Sequence, residues 1–167
     1  MIDVRISDTA VISRPELVEI GDHVSIDMGC YISTAATIGD YVHIAPYVCI
    51  IGGADAHLVM EDFSNIAAGS KLIVLSDDFT RGLLNPIIPV RYRHLVGGKI
   101  IMRRFSAVGV NSVVMPGVEM AEGSVLGANS LLTKDTEPWM IYAGSPAKAV
   151  SYRDKENILY NAKQLQS

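Results

Sequence analysis

Residues 20–50 read Ile20-Gly-Asp-His-Val-Ser-Ile26-Asp-Met-Gly-Cys-Tyr-Ile32-Ser-Thr-Ala-Ala-Thr-Ile38-Gly-Asp-Tyr-Val-His-Ile44-Ala-Pro-Tyr-Val-Cys-Ile50. Every sixth residue is isoleucine. Four places after each stands a small or β-branched residue: Val24, Cys30, Ala36, Val42, Val48 and Ala54. A step of six sweeps around a helix, but on extended chain it keeps side chains on one side. Glycine after Ile20 and Ile38 supplies tight turns between short strands. The stretch therefore reads as a solenoid of short parallel strands with the isoleucines stacked inside.

The same frame recurs in two further runs. It resumes at Met60, Ile66 and Leu72, with Ser64, Ser70 and Ser76 at the fifth positions. It returns at Met102, Val108, Val114, Met120, Leu126 and Leu132, with Ser106, Ser112, Val118, Ser124, Ser130 and Thr136. A weaker start shows at Ile6 and Ile12. Residues 1–152 are expected to form one β-helix domain. Residues 78–99, rich in Gly and Pro, read as a loop that leaves and re-enters the coil in phase. Loops of that length inside compact domains usually carry function. In the tail 153–167, Ile158, Leu159, Ala162 and Leu165 have helical spacing, which predicts a terminal helix covering the open end of the solenoid.

Composition narrows the function. The chain has 167 residues, 49% of them hydrophobic and 19% charged, with only 3 Phe and 1 Trp. Such a core must be filled by aliphatic residues, and the low charge hints at surface covered by another subunit. Net charge is −4, which excludes a broad electrostatic grip on nucleic acid. Residues 1–98 carry net −6 and residues 99–167 net +2, so an anionic ligand favours the second part. Cys30 and Cys49 are too few for a disulfide framework and read as small buried thiols in a reducing compartment. No basic and apolar leader follows Met1, and no apolar run approaches the roughly 18 residues of a membrane span. A cytoplasmic protein is expected.

The hexads, followed by Gly127-Ala-Asn-Ser-Leu-Leu-Thr-Lys-Asp135 and then Ala143-Gly-Ser-Pro-Ala-Lys148, resemble the hexapeptide-repeat acyltransferases. Within them the chain is most similar to small bacterial sugar O-acetyltransferases of the galactoside, maltose and polysaccharide-biosynthesis type. The resemblance implies a left-handed parallel β-helix with three hexads per coil. It implies a homotrimer with active sites between subunits, and acetyl-CoA as co-substrate beside the C-terminal coils. The positions matching family CoA contacts are Val110, Ala128, Thr133, Lys134 and Lys148. Some relatives carry a further Arg three residues after Lys148; this chain has Ser151 there, and Arg153 is the candidate substitute. Lysines and arginines in the net-positive part suit the phosphates of CoA. No metal is expected, because no cluster with ligand spacing accompanies Asp77-Asp78.

The catalytic base is harder to place. Acetylation of a hydroxyl needs a base, and histidine is the default near neutrality. Relatives place it just before the loop, where this chain has Asp77. His43, at a coil corner, is the first candidate, with Asp77 or Asp78 orienting it across a subunit cleft. His57, at the frame slip beside Asp55, is the second. Asp55, Asp78, Arg81, Arg93 and His94 are candidate acceptor contacts, and loop arginines 81, 91 and 93 suit a pyrophosphate. Each of these could equally be a solvated surface residue. His23 reads as structural. The leading expectation is an acetyl-CoA-dependent O-acetyltransferase acting on a sugar or nucleotide-sugar. The alternative is an N-acetyltransferase on a nucleotide-linked amino sugar, since an amine needs less help from a base. A third reading is a non-catalytic β-helix scaffold.

Overall fold

The computed structural model describes residues 2–166. Successive hexads form the three faces of a parallel β-helix. On the first face Ile6, Ile26, Ile44, Ile66, Val108 and Leu126 lie in register. On the second, Ile12, Ile32, Ile50, Leu72, Val114 and Leu132 do so. The third carries Ile20, Ile38, Met60, Met102 and Met120. Regular coils advance 18 residues, as from Ile26 to Ile44 and from Val108 to Leu126. The marked aliphatics are the core: Ile44, Ile50, Ile66, Leu72, Val114 and Leu126 are fully buried. Each such burial is worth about 1.5–3 kcal/mol.

Turns at two corners are held by stacked side chains. At the corner from the third face to the first, His23, Tyr41, Phe63, Phe105 and Trp139 all adopt positive φ, between 57° and 63°. That backbone costs non-glycine residues roughly 1–2 kcal/mol each. Their rings stack at centroid distances of 4.6, 4.8, 5.1 and 6.0 Å, which offsets part of the strain. Gly123 stands in this corner between Phe105 and Trp139. A Cβ there would come within 2.4 Å of the Trp139 ring, so the missing side chain is what lets the indole reach Phe105. The buried serines form a second column. Ser70 Oγ donates to the Gly109 carbonyl at 2.8 Å, and Ser112 Oγ donates to that of Gly127 at 2.7 Å.

The structure departs from the hexad frame at three places. Ile32 pairs with Ile50, an offset of 18, whereas Ile38 pairs with Met60, an offset of 22. The four extra residues bulge outward from the strand Cys49–Met60; Ala56 is buried and Ala54, expected inside, is exposed. The loop leaves at Leu75 rather than at 78. Leu75–Asp77 pairs antiparallel with Leu95–Gly97 as a stem, and Val74, not Ser76, takes the last inward position. Lys99 already lies in the coil strand Lys99–Met102. An antiparallel stem satisfies the backbone of both loop ends, so the excursion begins where pairing begins.

The third departure is the tail. The helix is Lys155–Leu165, with Asp154 accepting from the Asn157 amide at 3.1 Å. It does not close the solenoid. Its Leu159, Ala162 and Lys163 line a cavity with Arg104 and Phe105 at the aromatic corner, and Arg104 Nη2 donates to Gln166 Oε1 at 3.3 Å. The last strand edge is extended instead by Met140–Gly144, which turns back into the antiparallel strand Ala147–Tyr152.

Candidate active site

Both insertions leave the coil at one corner, between the second and third faces, on consecutive coils. Glycines make this possible. A Cβ on Gly52 would meet Thr34 Oγ1 and Ala56 Cβ at 2.8 Å, and Gly97, at φ +94°, would meet Pro116 Cβ at 2.3 Å. Buried Thr34 donates to the Ala56 carbonyl at 2.7 Å and fixes the bulge. Between bulge and loop stem lies a cavity of about 440 Å³. Gly52 and Gly53 form one side; Ile73, Leu75, Asp77, Arg93 and Leu95 line the rest.

The loop's carboxylates are committed to the loop itself. Arg93 Nε and Nη2 donate to the two oxygens of Asp77 at 2.8 and 3.0 Å, a bidentate pair with both side chains mostly buried. Asp78 accepts from the Thr80 hydroxyl at 2.6 Å, the Thr80 amide at 2.9 Å and Arg81 Nε at 3.1 Å. These bonds, the Thr80 hydroxyl first, hold its pKa down to about 2. The exposed His94 contributes its carbonyl, which accepts from the Asp78 amide at 2.7 Å.

The histidines are dispersed. His43 is on the first face, and its Nε2 is 2.8 Å from Asp27 Oδ2. That contact is the main cause of a lowered Asp27 pKa. Within this chain His43 lines a cavity with Asp3, Arg5 and His23, not with Asp77 or Asp78. His57 ends the bulge, half-buried, with Nε2 2.9 Å from Thr37 Oγ1 and its amide bonded to the Gly98 carbonyl where the loop returns. Asp55 is exposed on the bulge.

A second cavity, of about 330 Å³, lies at the last coil. It brings together Thr133, Lys134 and Lys148 with Asp135, Tyr142 and Pro146. Thr133 follows Leu132 on the second face, as Met115, Ile73 and Ile51 follow their own column residues. The two cavities therefore open along one edge. Ile73 and Thr133 are two strand spacings apart, roughly 10 Å. Val110 and Ala128 are exposed at the corner between the first and second faces, outside this cavity. Arg153 is turned away: its guanidinium donates to the carbonyls of Phe105 and Gly123 in the aromatic corner, and burial lowers its pKa. It closes a coil corner and is not placed to meet phosphate beside Lys148.

Two tyrosines, one lining the second cavity and one on the loop, gave no signal in the hexad pattern. Tyr142 becomes a wall of the lysine-lined cavity only because Met140–Gly144 continues the first face. Tyr92 stands exposed beside Arg91 on the loop because a short 3-10 turn, Val90–Tyr92, holds it there.

Residues 18–52 match the family model described as bacterial transferase hexapeptide (six repeats). Over 159 residues, 92% of this chain and 81% of the relative, the sequence is 33% identical to the dTDP-4-amino-4,6-dideoxy-D-glucose acyltransferase of Escherichia coli. It is 29% identical over 127 residues to a chloramphenicol acetyltransferase of Agrobacterium fabrum, covering 68% of this chain and 60% of that one. Among solved structures, AntD, an N-acyltransferase from Bacillus cereus in complex with dTDP and 3-hydroxybutyryl-CoA, superimposes with a TM-score of 0.93. It is 33% identical and covers 98% of this chain and 87% of its own. A hexapeptide-repeat acetyltransferase from Vibrio cholerae shares the fold, with a TM-score of 0.69 at 20% identity over 85% of this chain and 78% of its own. Fold and repeat define a hexapeptide β-helix with two insertions on one edge. The chain belongs to the hexapeptide-repeat acyltransferases.

Proposed function

We propose that the protein transfers an acyl group from acyl-CoA to the amine of a dTDP-linked amino sugar. One observation carries this reading: the likeness to the E. coli dTDP-amino-sugar acyltransferase and to AntD runs through nearly the whole chain. The site's chemistry supports it. Among the described residues, no imidazole pairs with a carboxylate at the loop edge. Both Asp77 oxygens face Arg93, and the His43–Asp27 pair lies on another face. A hydroxyl acceptor needs such a base more than an amine does.

In this reading Lys134 and Lys148 hold CoA phosphates, and the pantetheine arm runs along the edge toward the loop. The amine lone pair attacks the thioester carbonyl. The C–N bond forms, the C–S bond breaks, one N–H proton is released, and the CoA thiolate is protonated. No covalent acyl-enzyme is required. The large apolar side chains exposed on the loop, Phe79 at 78% and Ile87 at 87%, support a further copy of the chain against that face, as in a trimer.

The test is thiol release from acetyl- and 3-hydroxybutyryl-CoA with a dTDP-linked 4-amino sugar and with its 4-hydroxy counterpart. The amine is expected to turn over, and His43→Ala is expected to keep most activity. Comparable kcat/KM for the hydroxyl, with His43→Ala or His57→Ala losing several orders of magnitude, refutes the amine reading in favour of O-acetylation.

A further inference from the structure

We infer that Arg91 and Tyr92 form the clamp for the nucleotide part of the acceptor; this rests on the proposed dTDP-linked substrate. Three loop arginines could meet a pyrophosphate, and the structure separates them. Arg81 is tied to Asp78 and Arg93 to Asp77. Elsewhere Arg5 bonds Asp3, Arg14 the Ser33 carbonyl, Arg103 Glu61 and Glu119, and Arg104 Gln166. Arg153 bonds two backbone carbonyls. Among the described residues Arg91 alone of the arginines has no hydrogen-bond partner. Its guanidinium instead lies 4.8 Å from the centroid of the Tyr92 ring.

Backbone hydrogen bonds hold the turn that carries them. Pro89 leads into the 3-10 turn Val90–Tyr92, and the Pro89 carbonyl accepts from the Tyr92 amide at 3.0 Å. The Tyr92 carbonyl accepts from the Leu83 amide at 3.0 Å. The next residue, Arg93, is strapped to Asp77 in the cavity wall. So a guanidinium without a hydrogen-bond partner and a tyrosine, 53% exposed, directly precede Arg93, which lines the loop cavity. A fork of that kind matches phosphate oxygens bidentately, and a tyrosine ring stacks on a planar base. Arg91 engages the pyrophosphate, Tyr92 the thymine, and the sugar amine is left to reach along the edge toward the thioester.

The experiment titrates dTDP alone into the full chain by calorimetry, for the unaltered protein and for Arg91→Ala, Arg91→Lys and Tyr92→Ala. It is paired with steady-state kinetics using the dTDP-linked amine. Both side chains are exposed, so folding should be untouched, and circular dichroism checks it. Arg91→Ala is expected to weaken dTDP binding and raise the acceptor KM about 10–100-fold, with kcat and the acyl-CoA KM unchanged. Lysine should restore part of the loss, because it returns the charge but not the fork. Tyr92→Ala should weaken dTDP binding roughly tenfold. If the unaltered protein binds dTDP and Arg91→Ala binds it within twofold as tightly, the clamp is wrong and the acceptor reading stands. If the unaltered protein binds no dTDP, both fall.

Discussion

Replacing Asp77 by alanine should open the loop without unfolding the β-helix. Asp77 and Arg93 are 13% and 16% exposed at the side chain, so the pair is mostly desolvated. Removing the carboxylate strands a guanidinium with no other partner. Stranding a fully buried charge costs about 3–5 kcal/mol; with the residual solvent access here, about 2–3 kcal/mol is reasonable. That corresponds to about 30- to 150-fold in the opening equilibrium of the loop. The cost should stay local. The mouth of the loop is closed by coil bonds that do not involve Asp77: Gly98 N to the Val74 carbonyl and His57 N to the Gly98 carbonyl, both 2.8 Å. Native-state hydrogen exchange reads this directly. The Asp78 amide, bonded to the His94 carbonyl at 2.7 Å, should exchange about 30- to 150-fold faster. Coil amides such as those of Val113 and Ala107 should keep their protection. Arg93→Lys should fall between, having charge without the bidentate fork. Loop exchange changing by less than threefold, or loop and coil amides accelerating together, would refute the reasoning.

Three further outcomes are expected. Lys134→Ala and Lys148→Ala should each raise the KM for acyl-CoA by about 5- to 30-fold and leave the acceptor KM alone, read from initial rates. Gly123→Ala places a Cβ against the Trp139 ring at a backbone of φ +69°. Chemical denaturation should show a loss of about 1–3 kcal/mol. The third concerns acid. The Asp78 pKa in the folded chain, about 2, lies below the ordinary 3.8, so its turn is stabilised above 3.8 and released as pH falls through about 2. A carbon-detected titration of the Asp78 carboxyl should show its midpoint near 2, and Thr80→Ala should move it upward.

The hexad pattern made the three-faced coil legible because inward positions in a parallel β-helix repeat every six residues. Misfits appeared where length changed. The four residues added between Ile50 and Met60 could be assigned to a bulge only once Ile38 was seen to pair with Met60. The loop leaves at 75 instead of 78 and has returned before Lys99, because Leu75–Asp77 and Leu95–Gly97 pair with each other, and no periodicity signals a short antiparallel stem. The aromatic corner went unread for a similar reason. Along the stack His23, Tyr41, Phe63, Phe105 and Trp139 are 18 to 42 residues from one to the next, and only coil stacking makes them neighbours.

The site divides in the same way. Thr133, Lys134 and Lys148 were identified from a local motif, and they do share one cavity, since a few residues of chain link them. Arg153 sits close to them in sequence, yet it faces the Phe105 and Gly123 carbonyls, because the strand Ala147–Tyr152 runs from the hairpin turn beside Lys148 back to Trp139 at the aromatic corner. Asp77 and Arg93 were found separately as candidates, but nothing in the sequence says that each consumes the other. Thus the sequence alone determined the repeat, its inward residues and the lysine-bearing motif, because side-chain period and short-range spacing are local properties. Which charges are spent on one another, which arginine is left free, and which edge gathers both insertions were decided only when coils far apart in sequence were stacked a strand spacing apart.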